Sequence, residues 1–370
     1  MKLLNKQEIH DILYGSTILG TGGGGSLNKG LQLVDQALDA GKEFKLISLE
    51  ELPDEALIST PYKCGSISPE TEEERRKYAD LPRINEDSAL RAFRAMEQHM
   101  GQEFYGVVSA ELGGGNTAIA FNVGAMLGKY IIDADPAGRS VPELQHTTYY
   151  VYGLPITPMA VANEFGDVAI VTEVVNDFRA EALVRAMAVV SKNAIGVVDH
   201  PARGKDFKPT VIPGAISYAL KIGEAYRQAK TDGQDLATAL AQAGNGFVLF
   251  RGKVQEINWE TKEGFTVGEA VITGEGDYAG SNYKIWFENE NIISWRDGVI
   301  DVTVPDLICM VDDELNEPVT NPNHRIGSRV SVFGLPSPQQ WRTSRGLQVF
   351  GPRSFGYDYE FLPIEKKFGK

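Results

Sequence analysis

SAELGGGNTAIAFNVGAMLGKYIIDADPAGRSVPELQH, residues 109–146, decides the fold. It reads as the end of a strand, a glycine turn, a helix, a second strand and a loop. The loop gathers Asp133, Asp135, Arg139, Glu143 and His146 within 14 positions. Open α/β sheets bind their ligands outside the carboxyl ends of the strands, where such a loop would sit. This stretch is therefore the expected site. Glu111 at the first strand exit points into the crevice, and Asn116 either caps the following helix or faces the ligand. The charged loop also has a structural reading, in which Arg139 bridges Asp135 and Glu143.

The same alternation extends on both sides. FKLIS (44–48), ALIST (56–60), FYGVVSA (104–110), DVAIVTEV (167–174) and AIGVVDH (194–200) have strand character, and helical spacing marks residues 88–100, 178–192 and the run from Gly214. Repeated strand and helix units predict an α/β domain with a mostly parallel sheet and helices on its faces. Cys64 leaves the strand at 56–60 as either a small buried hydrophobe or a nucleophile. His200 ends the strand at 194–200 as a base, a ligand or a cap. TEEERRKYAD (71–80) reads as a solvated loop or helix face.

Near the N-terminus, Asn5 and Glu8 form a capping pair for a helix that ends at Gly15. The run ILGTGGGGSL (18–27) then opens a second helix. A dinucleotide fingerprint needs a strand before its glycines, and here a helix precedes them. Two other readings stand: glycines permitting close backbone packing or a mobile turn, or bare N–H groups at a helix start forming an oxyanion or carbonyl pocket.

After Gly244 the composition changes to short β-rich runs separated by Gly, Asn, Asp and Pro. This predicts an all-β domain, barrel- or sandwich-like, over 246–370 beside the α/β domain of 1–245. The tail from about 341, WRTSRGLQVFGPRSFGYDYEFLP, is too aromatic and apolar for a loose terminus and is expected to pack back on the first domain.

A chain of 370 residues that is 42% hydrophobic can bury two cores, and its net charge of −14 repels nucleic acid and anionic membranes. Two distant cysteines, Cys64 and Cys309, build no disulfide framework, which fits a reducing cytoplasm. No segment reads as a signal peptide or a membrane span. A homo-oligomer is expected.

Five segments in order, LGTGGGGS (19–26), ELGGGN (111–116), DADPAGRSVPELQ (133–145), PDLI (305–308) and GPRSFGYD (351–358), carry a family resemblance. The sequence resembles the S-methyl thiohydantoin desulfurase family, long catalogued as a hydantoinase-linked family of unknown function. The resemblance implies two domains and a cyclic-amide substrate, from which water removes sulfur to give a hydantoin and methanethiol. It also implies the company of a hydantoinase or oxoprolinase. The third motif often reads DGMGRAFPELQM in the family, so Pro136, Ser140 and His146 are departures, and His146 is not carried over as catalytic.

For that reaction, Asp135 or Glu143 is the expected general base, with Arg139 orienting it or holding a substrate carboxylate. Backbone N–H groups of Gly22, Gly23, Gly24 and Gly25, or of Gly113, Gly114 and Gly115, would bind developing negative charge, and Asn116 the ring amide. A metal version places zinc or another divalent ion among Asp133, Asp135, Glu143 and His200. A covalent version uses the Cys64 thiolate. Outside hydrolysis, the chain would be a non-catalytic partner of a hydantoinase or oxoprolinase, or a nucleotide-binding regulator.

Overall fold

A computed structural model describes residues 1–65 and 72–369. The first helix, Lys6–Leu19, starts where the sequence places it: Asn5 Oδ1 accepts the Glu8 N–H at 3.0 Å and Glu8 Oε2 accepts the Asn5 N–H at 2.9 Å. It does not stop at Gly15. That glycine is instead where it crosses the helix Ala215–Asp232. A Cβ on Gly15 would stand 1.8 Å from Ala219 O, and one on Gly223 1.7 Å from Asp11 O. The bare Cα atoms let the two backbones touch. Of the charged run, Glu72–Lys77 is a helix, Tyr78 after it is buried, and Thr71 lies outside the described residues.

The first sheet is built from β1 (Lys2–Leu4), β2 (Phe44–Ile47), β3 (Leu57–Gly65), β4 (Gly106–Val107) and β5 (Tyr130–Ile132). A two-residue β6 (Ala134–Asp135) follows, and β7 (Met159–Ala162), β8 (Val168–Val171) and β9 (Ala194–Arg203) return to the sheet. Its order is β1-β2-β5-β4-β3-β9-β7-β8. The four strands β2, β5, β4 and β3 run parallel; helices connect β3 to β4 and β4 to β5, and turns alone connect β2 to β3. β1 at one edge, and β9, β7 and β8 at the other, pair antiparallel. The helices Leu27–Asp39, Ser88–Met100 and Asn116–Leu127 bury Val34, Phe93 and Phe121 against one face of this sheet. β6 leaves the sheet to pair with β10 (Ile212–Pro213).

The second sheet begins at Phe247, after the helix Leu236–Ala243. Its strands are β11 (Phe247–Lys262), β12 (Phe265–Gly274), β13 (Asn282–Glu288), β14 (Glu290–Arg296), β15 (Val299–Thr303), β16 (Leu307–Asp312), β17 (Glu317–Pro318) and β18 (Arg329–Leu335). All pair antiparallel, in the order β15-β14-β13-β12-β11-β18-β16-β17. The sheet folds over so that β14 and β15 pack against β16, giving a sandwich-like form. The tail returns to the first domain: the buried Trp341 indole N–H donates to Ala137 O at 2.7 Å.

Arg139 ties the two sheets together. It is fully buried, and its guanidinium donates to Ser140 O at 3.0 Å, Asp306 O at 3.1 Å, Asn291 O at 2.9 Å and Thr21 Oγ1 at 2.7 Å. The Phe350 ring from the tail covers it, 5.2 Å from the guanidinium carbon. The expected bridge from Arg139 to Asp135 and Glu143 is absent, because carbonyls and a hydroxyl from three other segments use its donors. Arg139→Met, which keeps the bulk and removes the donors, should lower stability by about 3–5 kcal/mol, the usual cost of breaking one side of a buried charged network. Urea denaturation of parent and variant checks it.

Candidate active site

A cavity of about 510 Å³ opens between β3, β9, the starts of the helices Leu27–Asp39 and Asn116–Leu127, and the β13–β14 hairpin. Its walls combine backbone from the two glycine turns with Tyr62, Cys64, Glu111, Asn116, His200 and Glu290. The size suits one small organic ligand.

His200 occupies a β-bulge. Ile58 pairs with Ala202 and Thr60 with Asp199, so one extra residue on β9 faces Ser59. His200 takes it up with φ of 45°, a left-handed backbone that a histidine seldom adopts. Its Nδ1 lies 2.8 Å from Asp199 Oδ1, and the Tyr62 hydroxyl donates to Asp199 Oδ2 at 2.7 Å. With the carboxylate as acceptor, Nδ1 carries the hydrogen and Nε2 keeps a lone pair. Among the described residues, Nε2 is buried without a hydrogen-bond partner. The tilted Tyr149 ring lies against the imidazole at 4.3 Å between ring centres, and its hydroxyl bonds Thr60 Oγ1 at 3.1 Å. The set is that of an oriented general base.

Glu111 is the acid in the other wall. Its carboxyl accepts from Asn116 Nδ2 at 2.7 Å and from the Val141 N–H at 2.8 Å. Burial pushes its pKa up to about 7, with these bonds and Arg139 opposing the rise. Asn116 is not a helix cap; it is the first helical residue, and its Oδ1 accepts the Lys63 N–H at 3.1 Å. Glu290, from the start of β14, also lines the cavity, with 3% of its surface exposed.

Of the residues singled out from the sequence, Cys64, Glu111, Asn116, Glu143, His200, Gly24 and Gly25 meet in this cavity. Asp135 does not line it. Its Oδ1 accepts the N–H groups of Ala137, at 3.0 Å, and Gly138, closing its own turn, and burial raises its pKa to about 7. This corrects its reading as the base. Asp133 is spent at the start of the helix Ala215–Asp232, where it accepts the Ser217 N–H at 2.9 Å and the Ser217 hydroxyl. Among the described residues no three His, Cys, Asp or Glu side chains stand in a metal-holding arrangement, so the set Asp133, Asp135, Glu143 and His200 does not fit a zinc ion. Glu143 accepts from Gln145 Nε2 at 2.7 Å, and burial raises its pKa. The Cys64 thiol is pushed up to about 12, chiefly by burial, and stays protonated near neutrality, against its covalent role. His146 lies among the tail aromatics, with its ring centre 5.1 Å from that of Phe350.

The glycine turns serve packing more than charge. The Gly113 N–H donates to Thr117 Oγ1 at 3.2 Å, and those of Gly115 and Asn116 donate to Gly24 O at 2.9 and 3.1 Å. These donors are no longer open to an oxyanion. Gly114 closes against Leu27 and Gly30. Gly22 and Gly23 face the β-domain, where Gly22 O accepts the Asn321 N–H at 2.8 Å. Asp199, Tyr62, Tyr149 and Glu290 were not singled out from sequence. The signals were present, in an acid–histidine pair inside the apolar VVDHPA and in the polar ENEN that interrupts an apolar strand run.

The architecture and the site are those of a two-domain α/β plus antiparallel-sheet protein with a small-molecule cavity. Family models for the S-Me-THD-like N-terminal domain and C-terminal domain match residues 7–173 and 175–364, and the chain belongs to this family. The boundary between the two models precedes β9, so the segment matched as the C-terminal domain supplies a strand to the first sheet. A crystal structure of a protein from Chromobacterium violaceum is similar in fold, with a TM-score of 0.76 at 21% identity over 98% of this chain and 100% of that one. No curated protein matches the sequence. No helix among the described residues is long and apolar enough to cross a membrane.

Glu111 gives a pH prediction. Its pKa rises from 4.5 to about 7 on folding, so the stability it contributes is full below the unfolded value and is lost as pH climbs through the folded one. The parent should exceed Glu111→Gln in stability by more at about pH 5 than at about pH 8, in paired urea titrations.

Proposed function

We propose that the cavity hydrolyses the carbon–sulfur bond of an S-methyl thiohydantoin or a related cyclic amide, releasing methanethiol. The observation that carries this reading is the buried His200, with Nδ1 held by Asp199 and Nε2 unpartnered in the wall of a cavity sized for one ring. Family membership supplies the substrate class.

The electrophile is the ring carbon that carries sulfur. His200 Nε2 removes a proton from water as the oxygen bonds this carbon, and Asp199 stabilises the imidazolium that forms. The tetrahedral intermediate collapses with cleavage of the carbon–sulfur bond, and the thiolate takes up the proton that His200 holds. Glu111 and Asn116 hold the ring edge. A carboxyl with a pKa near 7 and a primary amide offer both donors and acceptors to a cyclic amide, which presents both. Cys64 stays a thiol and serves as wall.

The test is thiol release from a panel of S-methyl thiohydantoins. The parent protein should release thiol, and His200→Asn should lower kcat by at least about 100-fold, as loss of a general base does. Asparagine tolerates the left-handed backbone at this position, so the variant keeps the bulge. Folded parent protein that releases no thiol, or a His200→Asn variant with full activity, overturns the reading.

A further inference from the structure

We propose that Glu290 is the catalytic acid of this site, a group from the second sheet that protonates the ring nitrogen of a substrate bound against the first. This rests on the hydrolysis proposed above and adds the proton donor that it needs.

The β13–β14 hairpin is pinned on both sides of Glu290. Asn289 Oδ1 accepts the Thr266 N–H at 2.9 Å, and Asn291 Nδ2 donates to Ile308 O at 2.9 Å. The hairpin is therefore rigid where it meets the cavity. Glu290 Oε2 is buried without a hydrogen-bond partner among the described residues, and the residue lines the cavity. Most buried carboxyl oxygens have a donor, so an orphan on a residue that lines a cavity calls for an explanation. An acid that waits for a substrate nitrogen leaves this oxygen free.

The glycine run adds a second, independent observation. A Cβ on Gly23 would stand 1.7 Å from Glu290 Oε1. The first domain thus clears, with one missing side chain, the place that the carboxyl of the second domain occupies. Burial and the facing Glu111 and Glu288 favour the neutral acid, and Arg139 opposes them without prevailing.

The proton balance closes with two groups. His200 takes one proton from water as the oxygen–carbon bond forms, and Glu290 gives its own to the ring nitrogen of the carbon–nitrogen double bond. On collapse the carbon–sulfur bond breaks and the thiolate takes the proton from His200. The new hydroxyl returns a proton to Glu290 as it becomes a carbonyl. Water ends as the ring oxygen, one hydrogen on nitrogen and one on methanethiol, and both residues regain their starting states.

The experiment compares the full-length parent, Glu290→Gln, Glu290→Asp and Gly23→Ala in thiol release across pH, with thermal midpoints as a folding check. Glu290→Gln should lose at least about 100-fold in kcat. Its residual activity should lack the fall that the parent shows as pH rises and the acid ionises. Glu290→Asp keeps the acid but withdraws it by one methylene, and Gly23→Ala displaces it, so each should lose about tenfold or more. These two decide the matter if Glu290→Gln does not fold. A parent that releases thiol while the folded Glu290 variants match its kcat overturns the role of Glu290 and leaves the hydrolysis standing. A parent that releases none overturns the hydrolysis, and this role with it.

Discussion

A fully buried guanidinium sets the terms for the rest of the structure. Arg139 cannot shed its proton cheaply and cannot reach water, so every donor must find an acceptor inside the protein. The acceptors come from the glycine run at Thr21, from β14 at Asn291 and from the approach to β16 at Asp306. None is a carboxylate in direct contact. Buried acids stand only at longer range, among them Glu290, Asp306 and Glu111. Two domains are thereby held in one register, and the cavity lies on the side of this junction where the acids are.

Close approach at the junction explains the glycines. Thr21 must come within 2.7 Å of Arg139 while the chain beside it meets Asn321, Glu290, Ser140 and Gly115 in turn. Side chains at 22 through 25 would occupy space already filled from four directions. Gly22, Gly24 and Gly25 also carry φ between 79° and 97°, which L side chains avoid. The segment resembles a phosphate loop in sequence because both need bare backbone, but here the backbone meets protein.

Local signals were legible and long-range ones were not. The Asn5–Glu8 cap, the strands around 44–47 and 57–65, and the change of composition after Gly244 follow from patterns within a few residues, and a single sequence displays these. The gathering of Glu111, Asn116 and His200 at strand exits and turns was legible for the same reason. Gly15 was misread because a helix stop and a helix crossing look alike until Gly223 appears opposite it. Arg139 was misread because its neighbours Asp135 and Glu143 are close only along the chain. Asp135 turns back on its own loop, and Arg139 turns the other way into the second domain. Tyr62 and Glu290 sit on strands whose alternation marks them as core or hairpin, and only packing turns them towards a cavity.

The position of the base shows why backbone strain and chemistry coincide here. Adjacent residues on a regular strand point to opposite faces of the sheet, so Asp199 and His200 should be unable to bond to one another. The bulge removes this obstacle. With φ of 45° at His200, the imidazole swings to the side of Asp199 and meets it at 2.8 Å, while Nε2 has no partner among the described residues. A left-handed histidine costs on the order of 1–3 kcal/mol, and only rigid surroundings keep it. They are present: β9 pairs with β3 on one side and with β7 on the other, and the His200 N–H donates to Ile156 O at 3.2 Å. The sheet thus holds a conformation that a free chain would relax, and what it holds is an oriented imidazole next to acids whose pKa values burial raises. Groups with opposite proton demands can share one cavity near neutral pH because a strained strand sets the first and a dry junction between domains sets the second.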